Sequence, residues 1–109
     1  MVRDSGLEEF VREYLADLPG LSGKAMFGSW CWLLQGNLLC CANQEGVMVR
    51  LGKGNETWAL PLDGITPFVT GQRPMPGWVQ VAPEAFADDA LARRLIDHAL
   101  TFVQELPPK

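Results

Sequence analysis

Leu7, Phe10, Val11, Tyr14, Leu15 and Leu18 recur at the i, i+3, i+4, i+7 spacing of one helix face and predict an amphipathic helix over residues 5–18. Ser5 and Glu8 have the spacing of a capping box, Glu8 and Glu9 suit the positive end of the helix dipole, and Pro19-Gly20 stops the helix. Residues 21–24 read as a connector. The longest apolar run of the chain follows, residues 26–42, broken only by Gly36-Asn37. It predicts a hairpin, residues 25–34 and 37–43, around a type II′-like turn with Gly36 first. Along its first arm Trp30, Trp32 and Leu34 fall on one face, and Phe27, Cys31 and Leu33 on the other. An antiparallel hairpin ordinarily keeps one face polar. Two apolar faces imply helices on one side and another cover on the second: a curled sheet, a partner chain or a ligand.

Gln44-Glu45-Gly46 reads as a tight turn, after which Val47, Val49 and Leu51 alternate with Met48 and Arg50 as a half-buried strand. Residues 52–55 form a loop, and residues 56–60 a short helix capped by Asn55 and ended before Pro61. Residues 62–70 are turn-rich, with a short strand around Phe68-Val69. Two prolines and two glycines make residues 71–77 a shaped, irregular loop. Trp78 to Val81 alternate as a last strand, Pro83 opens a helical turn through Phe86, and Asp88 caps a closing helix that runs to about Glu105. The stripe of that helix is Leu91, Leu95, Ile96, Ala99, Phe102, Val103 and Leu106. The sum is an α+β domain: a mostly antiparallel sheet of four to six strands with N- and C-terminal helices packed on it, in the order α-β-β-β-α-β-β-α.

Composition narrows the class. A chain of 109 residues is one domain, 1–109, with a single core. It is 48% apolar and 20% charged, which is too apolar for a disordered chain. The net charge of −4 disfavours direct binding to nucleic acid or to an anionic membrane, both of which need a basic field. The apolar run is interrupted and too short for a membrane span of about 20 residues, and residues 1–6 carry no apolar segment of a secretory leader. Three cysteines, Cys31, Cys40 and Cys41, make a poor disulfide framework and fit a reducing cytoplasm.

Candidate chemistry is sparse. His98 is the single histidine and could pair with a thiol, but a helix residue at the border of the core explains it as well. Cys40 and Cys41 are adjacent on a strand and point to opposite faces, so they do not share a metal easily, although one of them could be exposed and oxidisable. Gly52-Lys53-Gly54-Asn55 lacks the spacing of a phosphate loop. Asp88-Asp89 stands at a helix start, which the dipole explains. Four tryptophans are many for so short a chain. Core filling accounts for some of them; the rest suit an interface or a ligand cleft. With Arg50 and Arg73 as polar anchors, the candidate partner or ligand surface is Phe27, Trp30, Trp32, Arg50, Arg73, Met75 and Trp78. No cofactor and no metal is implied.

The order of these segments resembles a known family. Lys24-Ala25-Met26-Phe27-Gly28-Ser29-Trp30 is similar to the Met-Phe-Gly-Gly opening of the TfoX/Sxy N-terminal domain, with Ser29 in place of the second glycine. Gly36 at a hairpin tip followed by Val47-Met48-Val49-Arg50 resembles its Leu-Tyr-Leu-Lys strand, with Arg50 in place of lysine. Thr66-Pro67-Phe68, the stretch from Gly71 to Val81 and the ending Leu106-Pro107-Pro108-Lys109 also resemble that family. The resemblance implies a secretion-chaperone-like α+β fold and no established reaction. It also implies a link to the regulation of bacterial competence genes. Longer members act there as transcriptional co-regulators and carry a second, helix-hairpin-helix domain, which this chain is expected to lack. The leading expectation is a non-enzymatic, cytoplasmic regulatory domain acting through protein partners, or as a homodimer formed by an edge strand or the aromatic face. The alternative is a small-ligand-binding domain with a Trp-lined pocket between the sheet and the closing helix, closed by residues 71–77. An enzyme using a cysteine with His98 ranks third.

Overall fold

The computed structural model describes residues 5–26, 28–70 and 72–108. The amphipathic stripe forms α1 (Ser5–Tyr14), with Leu7, Val11 and Leu15 buried. Leu15 N–H still donates to the Val11 carbonyl before the chain turns at Pro19-Gly20. The cap expected at Ser5 rests on a side chain outside the described residues. Six strands follow: β1 (Leu21–Met26), β2 (Ser29–Leu34), β3 (Asn37–Asn43), β4 (Gly46–Arg50), β5 (Ile65–Thr70) and β6 (Arg73–Val81). Then come α2 (Pro83–Phe86) and α3 (Asp89–Gln104). The strands make one sheet in the order β1-β2-β3-β4-β6-β5, antiparallel at every neighbouring pair.

Three local expectations change. The connector of residues 21–24 is part of β1, an edge strand whose mostly exposed residues carry no apolar alternation to betray it. Residues 56–60 form a single helical turn, Leu60 N–H donating to the Glu56 carbonyl, rather than a helix. Residues 73–77 belong to β6 despite Pro74 and Pro76. The reason is positional: β4 pairs with β6 only from Trp78 to Val81, so both prolines lie in an overhang flanked by β5 alone. There the missing N–H groups cost no second ladder.

The central hairpin turns at Gln35-Gly36, not at Gly36-Asn37. Leu34 pairs with Asn37, and both central residues have positive φ, 52° at Gln35 and 85° at Gly36, the backbone of a type I′ turn. A non-glycine residue tolerates this because its backbone is anchored: Gln35 N–H donates to the Gly20 carbonyl at 2.8 Å. A bulge then interrupts the ladder, since Leu33 pairs with Leu38 but Trp32 with Cys40.

The helices cover one face of the sheet. Val11 of α1, Leu15 just after it, Phe86 of α2 and Leu95, Ile96, Ala99 and Val103 of α3 close over Trp32, Leu34, Leu39, Cys40, Ala42, Val47, Val49, Val79 and Val81. Tyr14 Oη–H donates to Asp97 at 2.8 Å and ties α1 to α3. Asp88 caps α3 as predicted, its carboxylate accepting from Ala90 N–H at 3.1 Å and Leu91 N–H at 3.3 Å. Asp88→Ala is expected to cost about 1 kcal/mol, the usual worth of such a cap. The check is a lower urea midpoint with an unchanged slope.

Candidate functional site

The face opposite the helices carries a row of side chains set by strand register. Lys24 of β1 pairs with Cys31 of β2, Cys31 with Cys41 of β3, Cys41 with Met48 of β4, and Met48 with Gln80 of β6. Directly opposed residues in antiparallel strands point to the same face, with Cβ atoms about 4.5–5.5 Å apart. Three sulfur-bearing side chains therefore stand side by side across three strands.

This row forms the floor of a cavity of about 370 Å³ lined by Met26, Ser29, Cys31, Leu38, Cys41, Asn43, Glu45, Met48, Phe68 and Gln80. Every strand contributes, from β1 (Met26) to β5 (Phe68). In a flat sheet these two edges would lie about 24 Å apart, five strand spacings of about 4.8 Å. Both edges reach one cavity only because the sheet curls. The curled sheet is thus the second cover that the two apolar faces of the hairpin required. Polar groups in the cavity satisfy one another: Asn43 Nδ2 donates to Ser29 Oγ at 2.9 Å, and Gln80 Nε2 to the Glu45 carbonyl at 3.2 Å.

The three thiols are free and buried but not equivalent. Cys40 belongs to the helix-covered core, where burial pushes its thiol up. Cys31 and Cys41 lie outside that core cluster, on the cavity face. They are cross-strand partners. The neighbouring Cys41 thiol, with help from the Lys24 charge, holds Cys31 below the ordinary thiol value against the opposing effect of burial. The Cys31 thiol, with burial, drives Cys41 well above it.

The residues expected to form a partner surface divide. Phe27 lies outside the described residues. Trp32 is 3% exposed in the helix-covered core and serves packing, whereas Trp30 is half-buried and packs against the same core. Arg50 and Trp78 do come together: the guanidinium lies 5.6 Å from the Trp78 ring and 5.5 Å from that of Phe102, and Nη1 donates to the Leu38 carbonyl at 3.3 Å. Met75 is half-buried and Arg73 exposed in the overhanging part of β6, Arg73 pairing with Thr70 at the end of the β5–β6 hairpin.

His98 packs against Trp58 in a tilted ring pair, centroids 4.7 Å apart and planes at 39°, on the exposed side of α3. Cys31 and Cys41 face the other side of the sheet, so the geometry assembles no cysteine–histidine pair from these residues. The cleft beside α3, about 560 Å³, takes Trp58, His98, Asp97, Thr101 and Phe102 but no second tryptophan. The space between sheet and helix, where a Trp-lined pocket was expected, is filled by the core. Among the described residues no three His, Cys, Asp or Glu side chains gather in a way that could hold a metal ion, and no helix is long and apolar enough to cross a membrane. Residues 56–60 also carry a role the sequence did not announce: Glu56 accepts from Gly77 N–H at 3.0 Å, fastening this loop to β6. Its carboxyl is held below the usual range by backbone donors, its own N–H first.

No curated protein and no solved structure matches the chain significantly. A family model does: the TfoX N-terminal domain, over residues 13–103. This match runs from the end of α1, through all six strands and α2, to the last turn of α3, so the chain belongs to the TfoX N-terminal domain family.

Proposed function

We propose that this domain is a non-enzymatic regulatory module of the cytoplasm that acts by holding a protein partner against the concave, helix-free face of its sheet. The observation that carries this reading is the one-sided architecture: helices cover one face, while the other presents Met26, Leu38, Met48 and Phe68 around a cavity of about 370 Å³. A cavity of that size accepts an apolar side chain of a partner, and the polar groups of Asn43, Glu45 and Gln80 serve as its rim. The sheet edges are worse candidates for contact. β1 carries Gly23 and Lys24, and β5 carries Pro67, features that blunt edge pairing. The acidic balance of the chain argues for a protein rather than a nucleic acid. Regulation of competence genes, the role of longer family members, is the pathway this reading favours.

The test is capture by the tagged domain from nuclease-treated native lysate at low and moderate salt, beside a Phe68→Lys variant of unchanged circular dichroism. A stoichiometric protein that survives nuclease and is lost with Phe68→Lys is the expected result. A domain recovered without a protein, with or without a bound small molecule, overturns the reading. So does a partner that Phe68→Lys retains.

A further inference from the structure

Buried cysteines usually need no explanation beyond packing, since a thiol fills a core as a small hydrophobe. Cys40 is such a residue. Cys31 and Cys41 are not: they stand apart from the helix-covered core, opposite each other in the β2–β3 ladder, and both line the cavity. Met48 is next in register on one side, Lys24 on the other, and Met26 lines the same cavity.

We propose that Cys31, Cys41 and Met48 form a binding site for a soft monovalent cation of the copper(I) class. Two thiols and a thioether are the donor set that such ions prefer, whereas calcium and magnesium demand oxygen ligands. Among the described residues the one carboxylate lining the cavity is Glu45, in the β3–β4 turn beyond the sulfur row. Charge also fits. Binding exchanges both thiol protons for the metal, two RSH and M⁺ giving [RS–M–SR]⁻ and two H⁺. The bound unit carries one negative charge, which Lys24, opposite Cys31, offsets. The register sets the three sulfurs on adjacent strands, so the ligands are positioned by the ladder rather than by a loop. This inference does not depend on whether a protein partner covers the open face.

The experiment titrates the reduced, oxygen-free chain with copper(I) in competition with a chromophoric copper(I) chelator, and with Ag⁺ followed by native mass spectrometry. One equivalent per chain is expected for each ion. Cys31→Ser and Cys41→Ser should each abolish the one-equivalent endpoint. Met48→Leu, a volume-conserving change, should keep the fold by circular dichroism and weaken binding at least about tenfold, since losing even an outer-shell partner of a metal ligand costs that much. Cys40→Ala, on the other face, should leave the stoichiometry unchanged. Affinity should rise with pH as the thiol protons become easier to displace. The proposal is overturned by absence of stoichiometric uptake, by uptake that survives the Cys31→Ser/Cys41→Ser double change, or by Zn²⁺ binding as tightly as copper(I). A Met48→Leu chain that binds like the parent removes Met48 from the site and overturns the three-sulfur assignment.

Discussion

Trp32→Ala is expected to cost about 3–5 kcal/mol of folding stability, the range for deleting a buried aromatic side chain. Trp32 is 3% exposed and lies in the core between the sheet and its helices. Its removal leaves a cavity between two layers that cannot collapse without moving either the helices or the bulged β2–β3 ladder. A domain of this size has about 5–15 kcal/mol in all. The loss is therefore large enough to lower the thermal midpoint by more than about 10 °C. Thermal and urea unfolding of the two chains check it. The outcome also separates two roles for the residue. A Trp32→Ala chain that stays within about 1 kcal/mol of the parent but loses a partner would place Trp32 on a binding surface, contrary to its burial.

Where local pattern and tertiary demand agreed, the elements were legible in advance. The α3 stripe, the Asp88 cap and Pro83 opening α2 all express one-helix physics and all hold. So does the apolar second face of β2, which required a cover and found it in the curl of the sheet. What local pattern misses is decided by neighbours. β1 lies at an edge, so its sequence LSGKAM had no reason to alternate. Pro74 and Pro76 argue for a loop until β4 is seen to stop short of them. Gln35 adopts a left-handed backbone that its side chain does not favour, because Gly20 holds its N–H.

The candidate site was hidden for a related reason. Alternation alone puts Cys40 and Cys41 on opposite faces, where the structure has them. Which of them meets Cys31 depends on register, and register depends on a turn and a bulge. A regular ladder closing on the Gln35-Gly36 turn would set Cys31 against Cys40. The irregularity between Trp32 and Leu33 moves the pairing by one residue and sets Cys31 against Cys41, on the cavity face. One inserted residue therefore decides which of the two adjacent cysteines stands opposite Cys31. The aromatic residues illustrate the opposite error. Tryptophan count alone suggests a surface, but Trp32 alternates onto the same side as Leu34, which the helices cover, and Trp30 packs half-buried at the margin of that core.

Gly46→Ala is expected to cost about 3–5 kcal/mol, combining a backbone held where side chains are strained with a forced repacking. Gly46 follows the two-residue turn at Gln44-Glu45, with φ 122°, and a Cβ there would run into the Val81 carbonyl oxygen of β6. Val81 is fully buried, and the next residue, Ala82, donates its N–H to the Gly64 carbonyl at 2.8 Å, so β6 has no free direction in which to yield. Gly54→Ala is the matched control. Gly54 also has a positive φ, 89°, but a Cβ there meets nothing within 4 Å, so only the backbone strain of about 1–2 kcal/mol applies. Urea unfolding of both variants reads the difference directly, and equal losses would remove the Val81 contact as the cause. The strain also has a functional reach. β4 runs from Gly46 to Arg50 between β3 and β6, and its Met48 stands beside Cys41. Displacing its first residue shifts the third sulfur relative to the other two, so Gly46→Ala should weaken copper(I) binding in chains that remain folded, while Gly54→Ala should leave it unchanged.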